Sequence, residues 1–436
     1  MKARLGWGGA LSDLTHEGVL RRALRGGITL LDTSASFAKG QSESLIGQVL
    51  SNPAQGETFD RSTVTVMSKF GYAAAAQGSQ SIPGAVPVVP GVMHSMHPGF
   101  LAQEFEQSRQ RLRGFVDVYM VHNPETQISY YLGKMQEEAG MKPEEPPSGT
   151  MVENARSHVW QMLVPLFEGL EIMVSQRKIR GYGVSSHALS LPENDPLHIS
   201  WERLLECAEK AAMRAGKGTH SLTTMQMPGN LMETEGLKQA PGMKSAGLDT
   251  VITRALTVMT PETEFLLVHS PDSAPPASYM DVCGEALEHF RFEPPENREM
   301  SQEELDTLKG CQWVQQLIQD MNRQLVDFKS FSHFEENLAQ SILPMLDRKF
   351  DCLDEGSMDR LKAFFDIYGA MVKYHCSEKV SAQVRSAFPI PATMKVQEYA
   401  LNWALNQEGV SAVLVSMRKE QHLDENLEAV KNIIGQ

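Results

Sequence analysis

Cysteine is scarce in this sequence and basic charge is in deficit. The five cysteines, Cys207, Cys283, Cys311, Cys352 and Cys376, are scattered, odd in number and nowhere spaced as a CxxC pair. Neither a disulfide framework nor a zinc site is indicated, no metal is expected, and reduced thiols in a cytosol-like compartment are the simple reading. Lys and Arg number 40 against 54 Asp and Glu, a formal net charge of -14, which argues against nucleic acid and against an anionic membrane surface. No apolar run approaches a membrane span. The N-terminal Met1-Lys2-Ala3-Arg4-Leu5-Gly6 enters an apolar strand at once instead of presenting a signal peptide, so a cytoplasmic protein is expected, with an organelle address elsewhere left open. There is no internal repeat, no low-complexity array and no glycine-rich phosphate loop; the last absence counts against a phosphosugar-handling barrel.

What is present is length and alternation. A chain of 436 residues with 42% hydrophobic content suffices for one large α/β barrel with insertions. Strands are predicted at 4–9, at 28–32, at 63–69, at 115–121, at 178–186, at 222–227, at 265–269 and at 411–415, separated by stretches of helical spacing. Gly26-Gly27 stops the helix that ends near Arg25. Residues 73–93, rich in Ala, Gly, Ser and Pro, read as a loop insertion, as do the polar residues 126–156 around Glu144-Glu145-Pro146-Pro147. Residues 244–259 read as helix. The alternation breaks from 272 to about 393, a largely helical insertion, and resumes with a final helix–strand–helix unit. The expectation is a (β/α)8 TIM barrel spanning residues 1–436 as a single unit. In the insertion, Trp313, Leu317, Met321 and Leu325 recur every four residues, a stripe that packs on its own barrel or offers a partner surface.

Polar side chains stand at or just after the ends of successive predicted strands: Asp32, Lys69, His122, Ser185-Ser186 and Gln226. In a barrel these ends converge on one mouth, where active sites lie. An Asp–Lys pair holds charge in a low-dielectric cup, and a nearby His donates to a substrate oxygen. Each residue alone has a bland reading as a solvated or hydrogen-bonded strand end. The set in this order is harder to dismiss.

The segments GITLLDTSASFAKGQSESLIG, VTVMSKFG, FVDVYMVHNPE, QRKIRGYGVSSH, MQMPGNLME and VSAVLVSMRKEQHLDENL together resemble the aldo-keto reductase family. HPGFL and VHNPE look most like the branch that includes L-galactose dehydrogenase. The resemblance implies a barrel that binds a nicotinamide dinucleotide, usually NADP(H) and otherwise NAD(H), without a Rossmann domain, and passes hydride to a carbonyl. It implies a tyrosine acid tuned by a lysine–aspartate pair and a histidine that orients the carbonyl. Asp32, Lys69 and His122 match that aspartate, lysine and histidine. The tyrosine position holds Phe37, and a phenyl ring has no proton to give. Tyr72 is the better substitute; Tyr119, at odd spacing from His122, should point away from the mouth. His122 itself is a further candidate for the acid. For the cofactor, Ser185, Ser186 and Gln226 match the carboxamide ligands, Asn230 the loop over the pyrophosphate, Arg418 the 2′-phosphate contact, and Glu425 and Asn426 the adenine contacts. Lys419 stands beside Arg418, at a helix start that favours an anion. In His269-Ser270-Pro271 the proline turn resembles the family, while Ser270 replaces an expected arginine.

Two functions follow. One is an NADP(H)-dependent oxidoreductase acting on a small carbonyl or sugar-like alcohol, with chemistry reduced or altered by the missing tyrosine. The other is a catalytically silent scaffold or regulatory subunit that still binds the cofactor, with the 272–393 helices as its protein-partner surface.

Overall fold

The computed structural model describes residues 3–9, 15–52, 60–74, 82–142, 144–260, 263–268, 278–295, 297–328, 330–349 and 355–434. It divides into two compact units, one made of residues 1–255 and 400–436, the other of residues 256–399.

The first unit is a closed barrel of eight parallel strands: Arg4–Gly8, Leu30–Asp32, Thr65–Phe70, Val118–His122, Gly181–Ser185, Leu222–Pro228, Asp249–Thr253 and Val410–Val415, the last pairing back onto the first. Helices Thr15–Arg25, Gln41–Ser51, Pro98–Arg111, Gly149–Ser175, Trp201–Arg214 and Ala240–Ser245 fall between successive strands, and Glu420–Ile434 follows the last. This is the (β/α)8 architecture that the alternation predicts. Along each strand the side chains alternate between the two faces. Leu30, Met67, Met120, Val251, Ala412 and Leu414 make one apolar cluster inside the barrel. Gly6 makes room for it, since a Cβ there would lie 2.7 Å from Leu414 Cδ2. Residues of opposite parity, such as Phe70, Tyr119 and Tyr182, face the helices and are buried there.

The seventh barrel strand corrects the sequence reading. Residues 265–269 were expected to supply it and 244–259 to be helical; instead Asp249–Thr253 enters the barrel, between Leu222–Pro228 and Val410–Val415. The apolar segment Thr263–Leu266 pairs antiparallel with Thr257–Thr260 in a hairpin. The proposed turn His269-Ser270-Pro271 lies outside the described residues, as does Cys352.

The two polar stretches expected as loops also hold regular structure. Tyr72–Ala74, Val86–Val89 and Val92–His94 form a three-stranded antiparallel sheet, with residues 75–81 outside the description. Glu125–Glu138 is a helix, and Ser148 caps the long helix Gly149–Ser175 by accepting from Met151 N.

The second unit is mainly helical, with Tyr279–His289, Gln302–Gln324, Phe331–Asn337 continuing through a π turn into Leu343–Lys349, and Glu355–Ala387. Its core gathers Val314, Ile318, Phe334, Phe364 and Tyr368, and the Tyr368 hydroxyl donates to the Met321 carbonyl at 2.6 Å. Ser301 and Glu304 form a capping box at the start of Gln302–Gln324. Met321 and Leu325 of the predicted stripe are buried in this core, with Trp313 and Leu317 packed partly buried against it. Among the described residues no helix is long and apolar enough to cross a membrane.

Two glycines on neighbouring barrel helices give opposite expectations. A Cβ on Gly47 would lie 2.3 Å from the Arg111 carbonyl oxygen, whereas Gly18 has nothing within 4 Å. Gly47→Ala is expected to lower stability by about 1–3 kcal/mol through overpacking, and Gly18→Ala to raise it by roughly 0.5–1 kcal/mol through helix propensity. Urea denaturation of the two variants beside the wild type measures both.

Candidate active site

Parity within the strands brings the polar residues to one place. Asp32, Lys69, His122, Ser185 and Gln226 all lie on the inward face at the C-terminal strand ends, with the His122–Ser185 and Ser185–Gln226 registers directly paired. Lys69 is buried, and its ammonium donates to Asp32 Oδ2 at 2.6 Å and to the Thr33 carbonyl at 2.9 Å. The other Asp32 oxygen accepts from Gln226 Nε2 at 2.9 Å, and Gln226 Oε1 accepts from the Ser185 hydroxyl at 2.7 Å. Four strands therefore contribute to one chain of hydrogen bonds. Burial pushes the Asp32 carboxyl up and the Lys69 ammonium down, and the attraction between the two charges resists both shifts.

Phe37 stands over this pair. Lys69 Nζ lies 5.1 Å from the centroid of its ring, a cation–π contact, and the ring meets His122 edge-on at 6.2 Å. The ammonium thus has an aromatic face before it and no hydroxyl at position 37.

His122 Nδ1 lies 3.4 Å from the Ser34 hydroxyl, which is 2.9 Å from that of Ser36. Burial, the Lys69 charge and two neighbouring histidines hold the His122 imidazole well below its usual range, so the ring is neutral at pH 7. The His122 carbonyl accepts from His94 Nε2 at 2.8 Å, and Gln127 Nε2 donates to His94 Nδ1 at 3.1 Å. His94 is itself buried and held neutral, its pKa lowered to about 4 by burial.

The candidate substitutes for the acid are placed differently from one another. Tyr119 is fully buried on the outer face, its hydroxyl on Ser108 at 3.1 Å, which agrees with its parity. Tyr72 meets His122 edge-on at 5.2 Å, but its hydroxyl is bonded by Asn123 Nδ2 and Thr126 Oγ1, each at 3.0 Å.

The residues matched to cofactor contacts also separate. The Ser186 hydroxyl donates to Glu125 Oε2 at 2.7 Å and accepts from Ala188 N at 3.1 Å. Asn230 is fully buried: Nδ2 donates to Glu233 and to the Arg254 carbonyl, and Oδ1 accepts from Met232 N and Glu233 N. Both side chains hold their own turns. Arg418 and Lys419 are exposed ahead of helix Glu420–Ile434, in which Glu425 is half-buried and Asn426 buried. Among the described residues no group of three or more His, Cys, Asp and Glu is arranged to hold a metal.

Glu125 is a residue the sequence did not single out. It opens helix Glu125–Glu138 and also accepts from His187 N at 3.0 Å. Burial pushes its carboxyl up to about 7, against the pull of the Ser186 hydroxyl and nearby backbone amides. The VHNPE segment carries it, but its partner lies 61 residues away, and nothing local signals that pairing.

These positions overlap a family match. Residues 2–194 match the sequence model of the Aldo/keto reductase family, a span that contains the first five barrel strands and Asp32, Phe37, Lys69, His122 and Glu125. The curated proteins contain no match to the chain. Among solved structures, the aldo-keto reductase AKR11C1 from Bacillus halodurans in its holo form is similar at 14% identity and a TM-score of 0.47, covering 99% of this chain and 87% of that one. The glycerol dehydrogenase AKR11B4 from Gluconobacter oxydans gives 16% and 0.41, covering 99% and 90%. The thermostable aldo-keto reductase Tm1743, in complex with epalrestat, gives 14% and 0.43, covering 98% and 89%.

Two measurements test this geometry. Asp32→Asn leaves a buried ammonium without its counter-charge, so a loss of about 3–5 kcal/mol is expected; adding Lys69→Met should recover most of it in urea denaturation. The second is a pH dependence. Glu125, raised from 4.5 to about 7, stabilises the fold below the lower value, and that contribution is lost as pH rises through 7. His94 and His187, both lowered from 6.5 to about 4, act oppositely, because the unfolded chain takes up their protons first as pH falls. Comparing Glu125→Gln with wild type at each pH cancels the histidines. The melting temperature of the variant relative to wild type should rise between pH 4.5 and 7; a flat difference would remove the assigned shift.

Proposed function

We propose that this chain is an oxidoreductase of aldo-keto reductase type, which binds NADP(H) and acts on a small carbonyl or alcohol, and whose proton transfer is slowed because position 37 carries a phenyl ring. The observation that supports this reading best is the buried Lys69–Asp32 pair at 2.6 Å, with the Phe37 ring over the ammonium. A buried ion pair is costly to desolvate and is weak evidence for stability alone. At a barrel mouth, beside a half-buried neutral histidine, it has a chemical use.

The pocket suits the nicotinamide end of the cofactor in part. Ser185 and Gln226 lie on the inward face and carry both a donor and an acceptor for its carboxamide, although they now satisfy each other and Asp32. Ser186 and Asn230 would have to leave their present partners to join them. At the far end, exposed Arg418 and Lys419 before a helix start suit a 2′-phosphate, with Glu425 and Asn426 one turn on for the adenine. The cofactor, when bound, supplies the hydride. His122 would then orient the carbonyl oxygen, and the Lys69 ammonium, kept charged by its pairing with Asp32, would supply positive potential where negative charge develops on that oxygen. On this reading position 37, a phenyl ring over the ammonium, has no hydroxyl to deliver the proton.

A second reading is a silent scaffold that keeps the pocket without turnover. The closed run Ser185–Gln226–Asp32–Lys69, with an aromatic lid, favours it. Phe37→Tyr separates the two. Under the first reading, restoring the acid should raise NADPH-dependent reduction of a generic aldehyde by about 10²–10⁴-fold, with little change in KM. No gain in turnover would favour the scaffold.

A further inference from the structure

Beside the strand-end site lies a cavity of about 880 Å³, in the size range of small-molecule sites. Its lining mixes two kinds of group. Tyr72, Ile82, Pro83 and Val92 from the antiparallel sheet and its approach, with Phe100 from helix Pro98–Arg111, supply apolar surface. Exposed Lys39, with Gln103, Glu104, Gln107 and Arg111, supplies the polar part.

We propose that this cavity binds an amphipathic carboxylate, its apolar chain lying along Tyr72, Ile82, Val92 and Phe100 and its carboxylate on Lys39. The charges of the polar part lead to that assignment. The Arg111 guanidinium is committed: Nε donates to Glu43 and Nη2 to Glu104, both at 2.6 Å. Glu104 is thereby held as well. Among the described residues Lys39 makes no ion pair, so it is the cation of this lining left for a ligand. One available ammonium facing a fixed carboxylate matches a monoanion; a phosphate dianion would meet Glu104 with half its charge unanswered.

The backbone is bent to place Lys39 there. Ala38 and Lys39 both adopt left-handed conformations, at φ 49° and φ 55°, followed by Gly40 at φ 85°. This is costly for residues that carry a Cβ, and such strain collects at ligand clamps. The turn is pinned against the Arg111 stem, since a Cβ on Gly40 would sit 2.8 Å from Arg111 Cδ.

The cavity borders the strand-end site through shared neighbours. Tyr72 lines it and meets His122 edge-on at 5.2 Å. Ser36 also lines it, and its hydroxyl is 2.9 Å from Ser34, the neighbour of His122 Nδ1. If the reductase reading holds, the substrate class becomes an oxo acid; that step rests on the reading, whereas carboxylate binding does not.

Calorimetric titration of the whole chain, without cofactor, with octanoate, 1-octanol and octyl phosphate tests the proposal. Octanoate should saturate one site and bind more tightly than octyl phosphate. Lys39→Asn, which tolerates the left-handed backbone, should weaken octanoate about fivefold, the upper range for an exposed ion pair, and leave octanol unchanged. Lys39→Asp should weaken octanoate further, and Val92→Trp should abolish both ligands, with melting curves confirming that each variant folds. Octanoate binding indifferent to Lys39→Asp, tighter binding of octyl phosphate, or no saturable octanoate binding would each overturn the proposal. Failure to bind NADPH would remove the reductase reading and leave the octanoate result standing.

Discussion

A lysine ammonium buried against an aspartate, at the end of a barrel strand, is the constraint around which the first unit is arranged. Neither charge is stable there alone. The pair requires both side chains on one face of adjacent strands, and the strand pairing provides this: Asp32 lies opposite Met67, two residues before Lys69 on the same face. The second Asp32 oxygen needs a donor as well, which brings in Gln226 and, through it, Ser185 from the next strand. The outer side of the Lys69 strand is tied in parallel, with Ser68 donating to buried Glu43 at 2.5 Å and Glu43 held by Arg111. Asp32, Lys69, Gln226 and Ser185 thus form one hydrogen-bonded polar layer over an apolar interior, in which leaving a member unpaired would be costly.

On the reading proposed above, Phe37 changes what this layer can do without breaking it. A ring face satisfies an ammonium electrostatically, so a phenyl ring over Lys69 is compatible with the pair. On that reading, proton delivery is a separate requirement, and neither Tyr72 nor His122 meets it from its present position. The Tyr72 hydroxyl is bonded away from Lys69, and His122 is neutral.

The parts of the fold legible in the sequence were those governed by strand parity. Asp32, Lys69, His122, Ser185 and Gln226 could be placed on one face because a period of two leaves no other choice once the strands are found. Tyr119 was excluded from the mouth by the same rule. The seventh strand was not legible, because Leu248, Val251, Ile252, Ala255, Leu256 and Met259 repeat with helical spacing. Periodicity alone cannot tell a short buried strand from such a pattern. The β-branched run Thr250-Val251-Ile252-Thr253, after Gly247 at φ 81°, carried the contrary signal. Glu125, His94 and the left-handed turn at Ala38–Lys39 were invisible for a different reason: each is defined by a partner or a backbone angle that no local spacing encodes.

On the reading proposed above, the pocket retains the cofactor side of the chemistry and lacks the proton donor. Titrating the wild-type protein into NADPH, and then adding a generic aldehyde while following nicotinamide fluorescence, tests both halves at once. The expected record is a saturable change at one equivalent followed by a slow decline on adding aldehyde. Absence of any binding signal, or consumption of the bound NADPH as fast as in the Phe37→Tyr variant, would contradict it.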